Sequence, residues 1–126
     1  METRKENILL QKSEAFATRI IRLYQYLLIE KHETVISKQI YRSGTSIGAN
    51  IAESEQAQSS LDFIHKLSIS LKEVNETRYW LNTLHNGNYI NDTGFHSIID
   101  DVEELIRILV SSIKTMKKRN GIETSI

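Results

Sequence analysis

Four histidines, His32, His65, His85 and His96, stand out first among the residues with catalytic or metal-binding chemistry. Asp62-Phe63-Ile64-His65 has the i, i+3 spacing that puts a carboxylate and an imidazole on one helix face, as in the Glu-x-x-His motifs of dimetal bundles. Such a centre needs a second motif and further inward-facing carboxylates, which the apolar stripes of this chain lack. Asp62 is better explained as the partner of Ser59 in a capping box. The absence of cysteine excludes disulfides, thiolate catalysis and cysteine-based metal sites. The serines are read as lacking the Gly-x-Ser-x-Gly context of a nucleophile elbow. The expectation is therefore no catalytic residue, no metal and no cofactor, with solvated surface histidines.

The segment Arg42-Ser43-Gly44-Thr45-Ser46-Ile47-Gly48-Ala49-Asn50-Ile51-Ala52-Glu53 carries two of the five glycines. It could be imagined as a phosphate-cradling loop, but it has neither the Gly-Lys-Ser/Thr ending of a P-loop nor a preceding strand. Gly44, Gly48 and Ala52 recur every fourth residue and line one helix face with almost no side chain. Two interior glycines cost a helix roughly 1 kcal/mol each relative to alanine. Close approach of another helix, in the same subunit or a neighbouring one, would offset that cost.

Two polar sets remain. Arg42, Asn50 and Glu53 flank the small-residue face, while Glu73, Glu76, Thr77 and Arg78 precede Tyr79-Trp80-Leu81. These groups are placed to pair across a tight helix contact and fix its register. The competing reading is a groove with Trp80 as its apolar floor, whereas Trp80 itself is expected to be a core or interface aromatic. At the C-terminal end, Lys114, Lys117, Lys118 and Arg119 follow an acidic half-helix of Asp92, Asp100, Asp101, Glu103 and Glu104. That split suits the helix dipole, and it would also serve as a basic collar for phosphates.

Four helices must position these groups. The first is predicted over Ser13–Lys31, with Phe16, Ile20, Leu23 and Leu27 in one stripe and Ala17, Ile21, Tyr24 and Leu28 beside it. The combined arc is wider than one bundle core requires, so this helix is expected to touch something beyond its own subunit. The second runs from an N-cap at Thr34 to about Gln56, with Ile36, Ile40, Ile47 and Ile51 inward and Ser43 between them. The third opens at Ser59, buries Phe63, Leu67, Leu71 (with Ser70), Val74, Leu81 and Leu84, and stops at Gly87. The fourth, capped by Asn91 or Asp92, carries Phe95, Ile98, Val102, Leu105, Leu109, Ile113 and Met116 and ends at Asn120-Gly121. With short connections and no period-two alternation, the chain reads as an all-α, up-down-up-down four-helix bundle.

Composition agrees. A chain of 126 residues, 40% hydrophobic and without proline, suits one domain of long helices over residues 1–126, with 1–11 and 120–126 as frayed termini. Net charge is zero, from 16 basic and 16 acidic side chains, whereas phosphate-binding proteins usually show a basic excess. A polar N-terminus and the lack of a spanning apolar run make the cytoplasm the expected compartment, with no membrane partner.

Ser37 through Glu53 resembles the hallmark of the bacterial four helix bundle protein family, also called the 23S rRNA intervening-sequence protein family. The stretches Phe16-Ala17 through Leu23-Tyr24, Asp62-Phe63 through Leu71-Lys72-Glu73, and Glu76 through Leu81 are similar to it as well. The resemblance covers about Lys5 to Lys118. It implies four antiparallel helices and, as in characterised relatives, a barrel-like homopentamer, and the family has no established enzymatic activity to carry over. Some members are encoded within insertions in 23S rRNA genes. A related branch comprises the accessory variability proteins of diversity-generating retroelements, which are strongly basic, bind nucleic acid and associate with a reverse transcriptase. The zero net charge sets this chain apart from that branch. The resemblance thus implies a scaffold or adaptor that binds itself, or else a nucleic-acid accessory protein with a reverse transcriptase or rRNA partner.

Overall fold

The computed structural model describes residues 4–122, with side chains from Ile8 onward. It contains α1 (Arg4–Ile29), α2 (Ile36–Ser54), α3 (Ser60–Asn86) and α4 (Asp92–Arg119), and no strand among the described residues. Each helix packs on the next, α4 closes the ring against α1, and the backbones of the diagonal pairs stay apart. The α1–α4 seam is the loosest of the four. Cross-helix contacts run in opposite order along consecutive helices (Gly44 over Ile20 and Gly48 over Ser13, for example), so neighbours are antiparallel. The chain is an all-α four-helix bundle. None of the helices is long and apolar enough to cross a membrane.

The inner face follows the predicted periodicity, with Phe16, Ile20, Leu27, Ile40, Ile47, Ile51, Leu67, Val74, Leu81, Leu84, Val102, Leu105, Leu109 and Ile113 buried. Burying each such side chain contributes about 1.5–3 kcal/mol before chain entropy is counted.

Several boundaries move. α1 begins at Arg4, so much of the expected frayed segment 1–11 is helical; residues 1–3 and 123–126 lie outside the described residues. Leu9 accounts for the extension: it is buried two turns before Phe16, with buried Ser13 between them. At the start of α2 the N-cap position is Val35 rather than Thr34, and no side chain there caps the helix. The Glu33 carboxylate does so instead, accepting the N–H groups of Val35 (3.1 Å), Ile36 (3.0 Å) and Ser37 (2.6 Å). Burial opposes ionisation of Glu33, but these three donors outweigh it and hold the carboxyl below the usual range.

In α3 the most buried line is Ile64, Leu67, Ser70, Val74, Thr77, Leu81 and Leu84, so Phe63 and Leu71 are only partly covered. Ser59 Oγ accepts the Asp62 N–H (3.0 Å), while Asp62 takes the N–H of Gln58 (3.3 Å). Gly87 caps α3 with φ −85°, and the left-handed residue is Asn88, which lets the Tyr89 N–H reach Leu84 O (2.9 Å). His32 closes α1 in the same way, with Glu33 N–H on Leu27 O (2.9 Å). Asn91 Oδ1 caps α4 at the Gly94 N–H (2.8 Å).

Candidate functional site

Residues 42–53 lie within α2 without a break, so no loop exists there to cradle a phosphate. A Cβ at Gly44 would stand 2.7 and 2.9 Å from the two γ-carbons of Ile20, and one at Gly48 would stand 3.0 Å from Ser13 Oγ. The first two members of the small-residue face thus meet α1 of the same chain. Ala52, the third, is exposed. One match escaped the reading of the serines: Gly44-Thr45-Ser46-Ile47-Gly48 does spell Gly-x-Ser-x-Gly. The Ser46 hydroxyl donates to Arg42 O (2.6 Å) within α2, and it has neither the strand nor the histidine partner of a nucleophile elbow.

The polar flank joins α2 to α3. Arg42 donates to Glu73 (3.2 Å) and to Glu76, and Glu76 also accepts the Trp80 indole N–H (3.1 Å). The hydrogen bond with Arg42 is the main cause that lowers the Glu76 carboxyl and raises the Arg42 guanidinium from their ordinary ranges. Glu53 pairs with Lys66 (3.2 Å), whereas Asn50 turns back to Ser46 O (2.9 Å) on its own helix. Beneath this edge, Thr77 Oγ1 donates to Ser43 Oγ (2.9 Å) and Ser70 Oγ donates to Ile47 O (2.9 Å), both buried. Trp80 is half-buried, packs against the core and stacks edge-on with Tyr79 (5.0 Å between centroids). Arg78 bridges to Glu103 on α4 (3.4 Å).

His85 departs from the expectation of a solvated histidine. It is half-buried, lies parallel to Phe95 (4.1 Å, 6°), and its Nε2 stands 2.6 Å from Asp92 Oδ1. That bond lowers the Asp92 carboxyl. His32, His65 and His96 are exposed. No group of three or more His, Asp or Glu side chains among the described residues is arranged to hold a metal. Lys114, Lys118 and Arg119 are exposed and Lys117 is half-buried; none of the four has an ion-pair partner among the described residues.

Two surfaces remain. The second stripe of α1 emerges beside α2: Ile21 (38% exposed) and Tyr41 (40% exposed) border half-buried Tyr24 and Leu28, with the Tyr24 and Tyr41 rings 4.6 Å apart. Along the α1–α4 seam runs a groove of about 470 Å³, bordered by Arg19, Arg22, Leu23, Tyr26, Ile90 and Ile98. Sequence reasoning missed the groove. Its signal was the 19, 22, 23, 26 spacing on the α1 face opposite the small-residue contact, together with bare Gly94.

The description 23S rRNA-intervening sequence protein matches residues 5–111. The chain belongs to the 23S rRNA-intervening sequence protein family. Among solved structures it is similar to a protein of unknown function from the S23 ribosomal protein family of Bacteroides thetaiotaomicron VPI-5482. The identity is 55%, the match covers 87% of this chain and 98% of that one, and the TM-score is 0.86. No curated protein matches. The 23S rRNA-intervening sequence family therefore supplies the fold of this chain and leaves its activity to be argued from its surfaces.

Proposed function

We propose that the protein is a non-enzymatic, cytoplasmic scaffold or adaptor that acts by self-association, with a homopentamer as its working form. The observation that carries this reading is the outer α1–α2 face. Ile21, Tyr24, Leu28 and Tyr41 exceed what the internal core uses, and aromatic and aliphatic side chains are the usual centre of a protein interface. The pentamer number comes from the family resemblance. Light scattering on the eluting chain at micromolar concentration is expected to give five times the 14.6 kDa chain mass. A 14.6 kDa species would overturn self-association.

A second reading, a nucleic-acid accessory protein acting on RNA or an RNA–DNA intermediate, is favoured by the unpaired cations at the end of α4. Lys114, Lys117, Lys118 and Arg119 gather there, and symmetric assembly would multiply them into one ring. A gel-shift titration with a structured RNA is expected to show affinity that falls steeply with salt and drops when the four become alanine. Undetectable affinity at low salt, or no change in the quadruple variant, would overturn it.

A further inference from the structure

The α1–α4 groove exists for a sequence reason. α1 and α4 form the loosest seam of the bundle, and α4 presents Gly94 to that seam. A Cβ at Gly94 would meet only Asn91 Oδ1, at 3.3 Å, so the space above it is open. The floor is apolar: Ile90 and Ile98 are 9% and 5% exposed, and Leu23 packs against the same cluster. A volume of about 470 Å³ falls in the roughly 300–1,000 Å³ range of small-molecule sites.

The charge at its rim has one sign left over. Arg19 is held by Asp101 (2.6 Å) and Ser97 (2.9 Å), so it is fixed in place and its carboxylate partner is occupied. Asp92, at the adjoining end, is engaged by His85. Arg22 borders the groove and has no hydrogen-bond or ion-pair partner among the described residues. An apolar trough beside an unmatched guanidinium suits one kind of occupant. It is a molecule with an apolar body and a single anionic head, since the body covers the exposed Tyr26 ring and half-buried Leu23 above the Ile90–Ile98 floor while the head meets Arg22.

We infer that the α1–α4 groove is a binding site for a small amphiphilic acid, a free carboxylate on an aliphatic or aromatic body, with Arg22 as its anion contact. The site is separate from the α1–α2 face and from the basic end of α4. It is tested on the full chain by amide NMR titration with octanoate, 1-octanol and inorganic phosphate. Octanoate is expected to shift the amides of residues 19–26 and 90–98 saturably as one site. The neutral alcohol should bind about tenfold more weakly, a difference set by the charge-assisted contact. Phosphate, which has no apolar body, should not saturate these shifts.

Arg22→Ala should weaken octanoate about tenfold without moving the urea midpoint, because the side chain it removes is exposed and unpaired. Gly94→Leu, which fills the trough, should abolish binding, and Arg22→Ala keeps the test decisive if that variant misfolds. Absence of saturable shifts at millimolar octanoate, equal affinity for 1-octanol, or undiminished binding in Arg22→Ala would overturn the inference. Binding to anionic phospholipid vesicles in place of free octanoate would overturn it too, in favour of a membrane surface.

Discussion

At the scale of single residues, Gly44 and Gly48 look equivalent in sequence and differ in what they touch. The Cβ of an alanine at position 44 would overlap a fully buried, β-branched Ile20 whose χ1 is stiff. Gly44→Ala is expected to cost about 1–3 kcal/mol in urea unfolding despite the gain in helix propensity. At position 48 the neighbour is the Ser13 hydroxyl at 3.0 Å, which is bonded to Leu10 O (2.7 Å) but has to yield only a few tenths of an ångström, so Gly48→Ala should lie within about 1 kcal/mol of the natural chain. Equal losses at the two sites would contradict the geometry. Glu33 yields the pH prediction. Its folded carboxyl is lowered, so its contribution is present above the unfolded range near about pH 4.3 and is lost as pH falls through the lower folded value. Glu33→Gln should cost about 1 kcal/mol at neutral pH, in the range of a lost helix cap, and should flatten that acid limb of stability. An unchanged acid limb would show that other carboxylates govern it.

At the scale of elements, the helices were legible because their apolar residues repeat at three and four, and α4 is legible almost throughout. The failures have physical causes. Thr34 has the short side chain of a usual N-cap, yet the longer Glu33 reaches three amides from one residue further back. Sequence places Leu71 on the buried side of α3 with Ser70 beside it and leaves Thr77 out, because hydrophobicity is the guide to burial, whereas Ser70 and Thr77 are both buried and Leu71 is only partly covered. In α3 the line facing α2 lies so close that small hydroxyl side chains fit best, each returning its proton to a partner across or along the seam. This seam makes Thr77→Val informative. Valine keeps the shape and leaves the Ser43 oxygen without its donor, so a loss of about 1–2 kcal/mol in urea unfolding is expected. A neutral result would assign the closeness of α2 and α3 to shape alone. The pairing of Arg42 with Glu73 and Glu76 was legible as a class of contact, but the partners were not, since one sequence does not give the register between helices.

At the scale of the whole molecule, the question left open by the small-residue face is answered for Gly44 and Gly48, which meet α1 of the same chain. That answer moves the search for the subunit contact to the second stripe of α1. Ala17, Ile21, Tyr24 and Leu28 are more apolar than a four-helix core needs, and the bundle leaves Ile21 and Tyr41 38% and 40% exposed. A surface of this kind is retained at some risk of aggregation unless it is covered. Replacing Ile21 and Tyr41 together by lysine should then separate two properties that travel together in an assembled bundle. Helical content by circular dichroism should persist, because neither side chain belongs to the buried core. The particle mass should fall to that of the single chain. Thermal stability of the natural protein should rise with protein concentration, as it must when subunit association is linked to folding, and that dependence should vanish in the double variant. A concentration-independent Tm in the natural chain, or an unchanged particle mass in the variant, would place the association surface elsewhere or remove it.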